Sequence, residues 1–246
     1  MATQARSAAT RQKIIDAAVE LFTDNGFSET GLNDITQRAG ITTGAFYYHF
    51  RSKEALAAAI TQQGWPKALD VFTACIDSRS PGLENVILMT FALSDLMKRD
   101  KSVWIANHLN QALGQLSEEG RRGFRERAST FVDRVARSLQ PSDIRDGVSF
   151  QTVGNMVWIA IHGCHLLSDA MMDNVIARLV ESWRMLLPAM VPDESLPYFE
   201  QFLARTAAQF ESPAVDELTA RRNAAIANVT ASTPDPNQHR QPSRSS

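Results

Sequence analysis

"GITTGAFYYHF", residues Gly40 to Phe50, is the stretch whose reading decides the fold. Two threonines precede a glycine, then four aromatic rings fall within five positions with a histidine among them. A globular chain crowds rings this way when some pack inward while their polar tips face a partner. The flanks sharpen the reading. Upstream, Leu32 to Ala39 predicts a short helix stopped by Gly40, a residue that tolerates the positive φ of a tight turn. Thr43 to Tyr48 predicts a second short helix, and Ser52 caps another that begins Lys53-Glu54-Ala55-Leu56. Before them, Thr10 is an N-cap candidate for a helix carrying Ile14, Ile15, Ala18, Leu21 and Phe22 at helical spacing, ended by Asn25-Gly26. Helix, tight turn, helix is the helix-turn-helix pattern. Ile35, Ala39, Ile41 and Phe46 are placed to pack on the first helix. Thr42, Thr43, Gly44, Tyr47 and Tyr48 are then left on the outer side.

The rest of the chain reads as helices with no convincing strand alternation. After Pro66 disturbs the fourth helix, Ser80-Pro81 opens one that reaches about Arg99. Further helices run from Val103 to about Leu113, Glu119 to Leu139, Phe150 to about Leu167 behind a Ser149 cap, Asn174 to Leu187 before Pro188, and about Leu196 to Gln209. The fold class expected is all-α: a helix-turn-helix DNA-binding domain over 8–53, a larger helical domain over 54–210, to which the resemblance below adds ligand binding and dimerisation, and a Pro/Gln/Ser-rich tail, 211–246, read as disordered. The 246 residues are 44% hydrophobic, enough for a sizeable core, and carry a formal net charge of -2, which excludes a uniformly basic coat but not a local patch. No apolar run is long enough for a membrane span, and the polar N-terminus lacks the apolar core of a signal peptide. Cys75 and Cys164 read as reduced core residues, so a cytoplasmic location is expected, and the DNA-binding reading makes it nucleoid-associated.

The small residues Thr43, Gly44 and Ala45 permit close approach to a major groove, which a recognition helix meets with its N-terminal residues. Tyrosine hydroxyls and His49 can donate to phosphate oxygens, contacts that set register more than sequence choice. Lys53 stands at a helix start, where backbone N–H groups also favour an anion. Arg11 and Lys13 are placed to reach the flanking backbone. The plainer reading of the segment is an aromatic core helix with no ligand.

Gly26 to Ile60, "GFSETGLNDITQRAGITTGAFYYHFRSKEALAAAI", resembles the DNA-binding domain of TetR-family transcriptional regulators. The resemblance is carried by Gly26-Phe27, Thr30, Asp34-Ile35, Ala39-Gly40, Gly44, Tyr47 to Phe50 and Lys53 to Leu56. It implies phosphate contacts from Thr42, Tyr47, His49 and Lys53, with Thr43, Gly44 and Tyr48 at or near bases. Thr36 stands where alanine is usual, Gly31 where a Ser/Thr cap is usual, and Thr43 where lysine is frequent. Leu83 to Leu109, Ser142 to Ala170 and Leu179 to Pro192 resemble the γ-butyrolactone autoregulator receptor branch of that family. The branch implies a small lipophilic effector with a lactone or furan head, a homodimer and an inverted-repeat operator on double-stranded DNA. It usually carries a tryptophan early in the helix before the "DIR" segment; this chain has Arg127, Ser129, Thr130 and Phe131 there.

For the effector pocket the candidates are Phe91, Trp104, Met156, Trp158 and His162, an apolar set of the kind more often plain core, with His162 placed to donate to a ligand carbonyl. The helices Phe150–Leu167 and Asn174–Leu187 are expected to pair with their symmetry mates as a four-helix bundle. His162-Gly163-Cys164-His165 also permits a metal or redox sensor, but zinc wants three or four converging ligands and no partner cluster is spaced for it; no metal and no cofactor are assigned. No glycine-flanked serine elbow, phosphate-cradling loop or HExxH is present, so an enzyme is not expected. Beside the ligand-released repressor stand two other readings: a pseudo-receptor of the same fold answering to another small molecule or to none, and the metal or redox sensor.

Overall fold

Every regular element of the computed structural model is helical among the residues it describes, 2–76 and 82–211. The helices are α1 (Ala2–Asn25), α2 (Leu32–Ala39), α3 (Thr43–His49), α4 (Lys53–Ile76), α5 (Leu83–Arg99), α6 (Lys101–Leu116), α7 (Glu118–Ser138), α8 (Phe150–Met171), α9 (Val175–Met190) and α10 (Leu196–Phe210). The predicted all-α class is what the chain adopts. The cap expected at Ser80-Pro81 and the tail from Ser212 onward lie outside the described residues.

The joints follow local chemistry. Gly40 closes α2 with φ +64°, and its N–H reaches the carbonyls of Thr36 and Gln37. Gly31 precedes α2 without a side-chain cap, and Asp34 compensates by accepting from the Gly31 N–H at 2.8 Å. Thr42, Asp100, Ser117, Ser149 and Asn174 each cap the helix that follows them. α5 takes its cap from far along the chain: Asp143 accepts from the Leu83 N–H at 3.0 Å. Thr10 is not a cap. α1 starts at Ala2, and the Thr10 hydroxyl donates back to the Arg6 carbonyl at 3.0 Å within the helix.

α4 departs from expectation in running through Pro66 to Ile76. Proline there removes one backbone hydrogen bond. Pro66 and Gln62 are exposed, so the freed carbonyl meets water, while Phe72 and Ile76 beyond the proline are buried in the core. α9 likewise continues past Pro188 to Met190.

Two buried clusters organise the chain. The smaller contains Ile14, Ile15, Phe22, Ile35, Phe46, Phe50 and Leu56, and is closed by Ile105, Leu109 and Leu113 of α6. The larger gathers α5, α7, α8, α9 and α10 around Phe91, Val135, Val157, Leu179, Trp183 and Leu203. α4 contributes to both, Leu56 to Ile60 in the first and Phe72 and Ile76 in the second. α4 and α6 cross at Gly64, where an added Cβ would stand 2.4 Å from the Ala106 Cβ and 2.8 Å from the Ser102 carbonyl oxygen. Only glycine lets the two backbones approach this closely.

Candidate functional site

α3 presents the opening segment as two faces. Phe46 and Phe50 are 0% and 4% exposed, whereas Tyr47 and Tyr48 are 54% and 79% exposed. The buried rings anchor the helix: Phe46 meets Phe50 at 5.9 Å between centroids and carries the Tyr47 ring edge-on at 5.6 Å. Thr42, Thr43 and Gly44 are exposed in the first turn. Thr42 accepts from the Ala45 N–H at 3.2 Å, which leaves its own O–H free to donate outward. His49 is half-buried beside Tyr48, with ring centroids 5.0 Å apart. Thr36, where alanine is usual, is buried with its hydroxyl satisfied by the Asn33 carbonyl at 3.0 Å.

Lys53 departs from the side-chain phosphate contact expected of it. Its ammonium donates to the carbonyls of Phe27 at 2.8 Å and Thr30 at 3.0 Å, with Ser28 at 3.5 Å, and lies over the Phe27 ring at 4.5 Å. A lysine ammonium has three donors, and all three point at the turn between α1 and α2. Arg11 is also turned inward, its guanidinium 4.9 Å from the Phe50 ring centre.

Between the helices that follow the reading head lies a narrow cavity of about 50 Å³. Five helices line it: Thr61, Gly64, Trp65 and Ala68 from α4, Leu93 and Met97 from α5, Ala106, Asn107 and Asn110 from α6, Arg127 and Phe131 from α7, and Trp158, Ile161 and His162 from α8. Of the five expected pocket residues, Trp158 and His162 are here. The other three lie away from it. Phe91 is fully buried core, its ring 5.9 Å from Phe210. Met156 lies on the outer face of α8, 37% exposed. Trp104 packs against the smaller cluster, stacked on His108 at 4.0 Å with its N–H directed at Asp169. The reason is rotation: residues two apart on a helix point about 200° apart, so Leu93 and Trp158 face the cavity while Phe91 and Met156 cannot.

His162 also reverses its expected polarity. Its Nδ1 lies 2.9 Å from the Trp158 carbonyl, to which it must donate. Burial holds the ring's pKa below the ordinary histidine range, opposed by that hydrogen bond. The neutral ring therefore keeps its proton on Nδ1, and Nε2, with no hydrogen-bond partner among the described residues, is an acceptor. Arg127 and Asn110 are the polar groups sequence reading left unassigned. The Arg127 Nε donates to the Asn110 Oδ1 at 2.7 Å, and Nη2 donates to the same oxygen.

The possible metal set does not converge. Cys164 Sγ contacts the Ser182 hydroxyl at 3.2 Å, and His165 Nε2 is 3.0 Å from the Ser94 hydroxyl, away from His162's partner. Among the described residues no group of three or more His, Cys, Asp or Glu is arranged to hold a metal ion. Ser94 donates its hydroxyl proton to the Thr90 carbonyl, so His165 carries its proton on Nε2 and donates to Ser94. Burial lowers the His165 pKa from 6.5 to about 4. Protonation therefore favours the unfolded chain: the stabilising term is whole above pH 6.5 and is lost as pH falls toward 4. Chemical denaturation across that window should show a loss on the order of 3 kcal/mol, and His165→Gln should flatten it. An equally steep acid limb in the variant would assign the slope to other groups.

Among the described residues, no helix is long and apolar enough to cross a membrane. The family pattern described as "Bacterial regulatory proteins, tetR family" matches residues 14–60. The chain is 31% identical over 204 residues to the A-factor receptor protein of Streptomyces griseus, covering 77% of this chain and 67% of that one. It superposes on a crystal structure of a gamma-butyrolactone receptor (ArpA-like protein) with a TM-score of 0.65 at 27% identity, over 83% of this chain and 99% of that chain. It also superposes on CprB from Streptomyces coelicolor in complex with its biological operator sequence, with a TM-score of 0.63 at 26% identity, over 83% and 99%.

Proposed function

The chain belongs to the TetR family of bacterial regulatory proteins, and from that membership we propose a homodimeric transcriptional repressor that docks on an inverted-repeat operator and is released by a small lipophilic effector. As a family member it is a DNA-binding regulator rather than an enzyme. The observation that carries the docking is the split face of α3, with buried Phe46 and Phe50 fixing a helix whose Thr42, Thr43, Gly44, Tyr47 and Tyr48 are all exposed. Thr42, Tyr47 and His49 position the backbone, Thr43, Gly44 and Tyr48 approach the bases, and Lys53 supports the site from behind. The solved operator complex of the similar CprB supports this docking. Two such heads on a symmetric dimer meet successive major grooves about 34–36 Å apart, or a modest multiple of that. Tyr47→Ala and Tyr48→Ala should each weaken operator binding about tenfold without lowering the melting temperature, since both rings are largely exposed. Gel shifts on fragments recovered by genome-wide mapping would measure it; unchanged affinity in both variants would remove α3 from the contact surface.

Effector release is proposed to work through α4. One end of that helix is clamped to the reading head by Lys53 and Leu56, and the other walls the cavity with Thr61, Gly64, Trp65 and Ala68. A molecule that favours a wider cavity moves α4 against α6, and the spacing of the paired heads changes with it. Such coupling requires different effector affinity in the two arrangements. The close Gly64 crossing offers a test without any effector. Gly64→Ala should force the helices apart, at about 2 kcal/mol for the overpacking, and lower operator affinity at least about tenfold. If the variant keeps wild-type stability and operator affinity, the crossing does not set the spacing.

A further inference from the structure

The cavity contains a cation with no ion-pair partner among the described residues. Arg127 projects from α7 among Trp65, Leu93, Phe131 and Trp158, and is partly buried. Other arginines in the fold have carboxylates: Arg99 has Asp95, Arg145 has Asp193 and Arg178 has Asp173. Arg127 forms no ion pair among the described residues; its hydrogen-bond partner is one amide oxygen, Asn110 Oδ1, which takes a donor from Nε and one from Nη2. A guanidinium offers five N–H donors in a planar fork, and an amide oxygen supplies no counter-charge. Removing a charge from water without a counter-ion is costly, and an anion brought to it recovers that cost with charge-assisted, bidentate hydrogen bonds. Burial depresses the arginine's own pKa, opposed in part by the neighbouring Glu126 carboxylate, which makes no ion pair with it.

The second polar group has the opposite need. His162 spends its proton on the Trp158 carbonyl, so Nε2 is an acceptor that asks for a hydroxyl or amine donor. The remaining walls are apolar and aromatic. From this pairing we propose that the effector is an anionic amphiphile, a hydroxy-carboxylate with an aliphatic tail: its carboxylate pairs with Arg127, its hydroxyl donates to His162 Nε2, and its tail lies along Trp65, Phe131 and Trp158. A neutral lactone satisfies neither need as well, since its ring oxygens carry no charge and donate no proton. The proposal rests on the reading of this cavity as the effector site.

A matched pair of probes separates the two ideas. γ-Decalactone and the γ-hydroxydecanoate obtained by opening its ring share one carbon skeleton and differ in charge and hydroxyl. Binding to the full-length protein is followed by tryptophan fluorescence and calorimetry under slightly alkaline conditions, where the open form persists, and release is followed by gel shift. Wild type should bind the hydroxy acid at least about tenfold more tightly than the lactone. Arg127→Gln should reduce that ratio to about one, and Arg127→Lys, which keeps the charge without the fork, should retain part of it. Equal or tighter lactone binding in wild type, or an undiminished preference in a folded Arg127→Gln variant, would overturn the carboxylate assignment. If the lactone binds and releases DNA while the hydroxy acid does neither, the cavity remains the effector site and only the assignment to an anion falls. If neither probe binds while the operator is still bound, both readings fall together. The wild-type comparison decides even if Arg127→Gln fails to fold.

Discussion

Ile159→Asp should yield a folded monomer that has lost operator binding by at least about a thousandfold. α8 carries apolar side chains beyond its core face. Val153, Val157, Ile161 and Cys164 are buried in the core, while Ile159 and Leu166, seven residues apart on the opposite side, are 59% and 53% exposed, and Met156, Leu167 and Met171 are exposed as well. A helix hydrophobic on both sides has a second partner in prospect, and a second copy of the same helix supplies it with a self-complementary surface. A carboxylate at Ile159 costs the monomer little, because the position is open to water. In the proposed symmetric bundle it appears twice, and each unpaired buried carboxylate costs several kcal/mol. A monomer then grips one half-site where a dimer grips two. Sedimentation and operator gel shifts would measure both halves of the expectation. A variant that stays dimeric at wild-type strength would move the interface elsewhere, and a monomer that binds as tightly as wild type would show that pairing is not needed.

Legibility followed how local each determinant is. The α2–turn–α3 unit was readable because its signals lie within a few residues: the glycine at φ +64°, the Thr42 cap and the alternation of buried Phe46 with exposed Tyr47. The cap at Ser149 was readable for the same reason. Thr10 misled because a good cap residue says nothing about whether the helix already exists upstream; its hydroxyl simply took the Arg6 carbonyl. Pro66 misled because the loss of one hydrogen bond is local, whereas the packing of Phe72 and Ile76 that carries α4 onward is not. At the cavity, hydrophobicity picked out helices that line it but not their rotation, so Trp158 faces the cavity and Met156 faces outward. Arg127 shows the limit from the other side. Within the charged run of α7 it looks like one more surface arginine, and only its hydrogen bond to Asn110, seventeen residues away, brings it into the cavity.

Lys53→Met should lower the stability of the reading head by about 3 kcal/mol, from the loss of charge-assisted hydrogen bonds to the two partly buried carbonyls of Phe27 and Thr30, each worth about 1.5–3 kcal/mol. Methionine keeps the length of the side chain, so the effect isolates the ammonium from the packing over Phe27. The distinction matters for how DNA binding fails. A lysine lost from a phosphate contact lowers affinity, reduces the salt dependence of binding by about one ion and leaves the melting curve in place. A lysine lost from beneath the α1–α2 turn loosens the platform under α3, so the melting temperature falls first, affinity falls with it, and the salt slope of the folded fraction is unchanged. Melting curves with operator titrations at several salt concentrations separate the two. A Lys53→Met protein with wild-type stability and a shallower salt slope would return the ammonium to the phosphate backbone and require the turn carbonyls to find water instead. The first outcome would make Lys53 the residue that couples the start of α4 to the turn ahead of the recognition unit, so a movement of α4 at the cavity would reach α3 through the same ammonium that holds the head together.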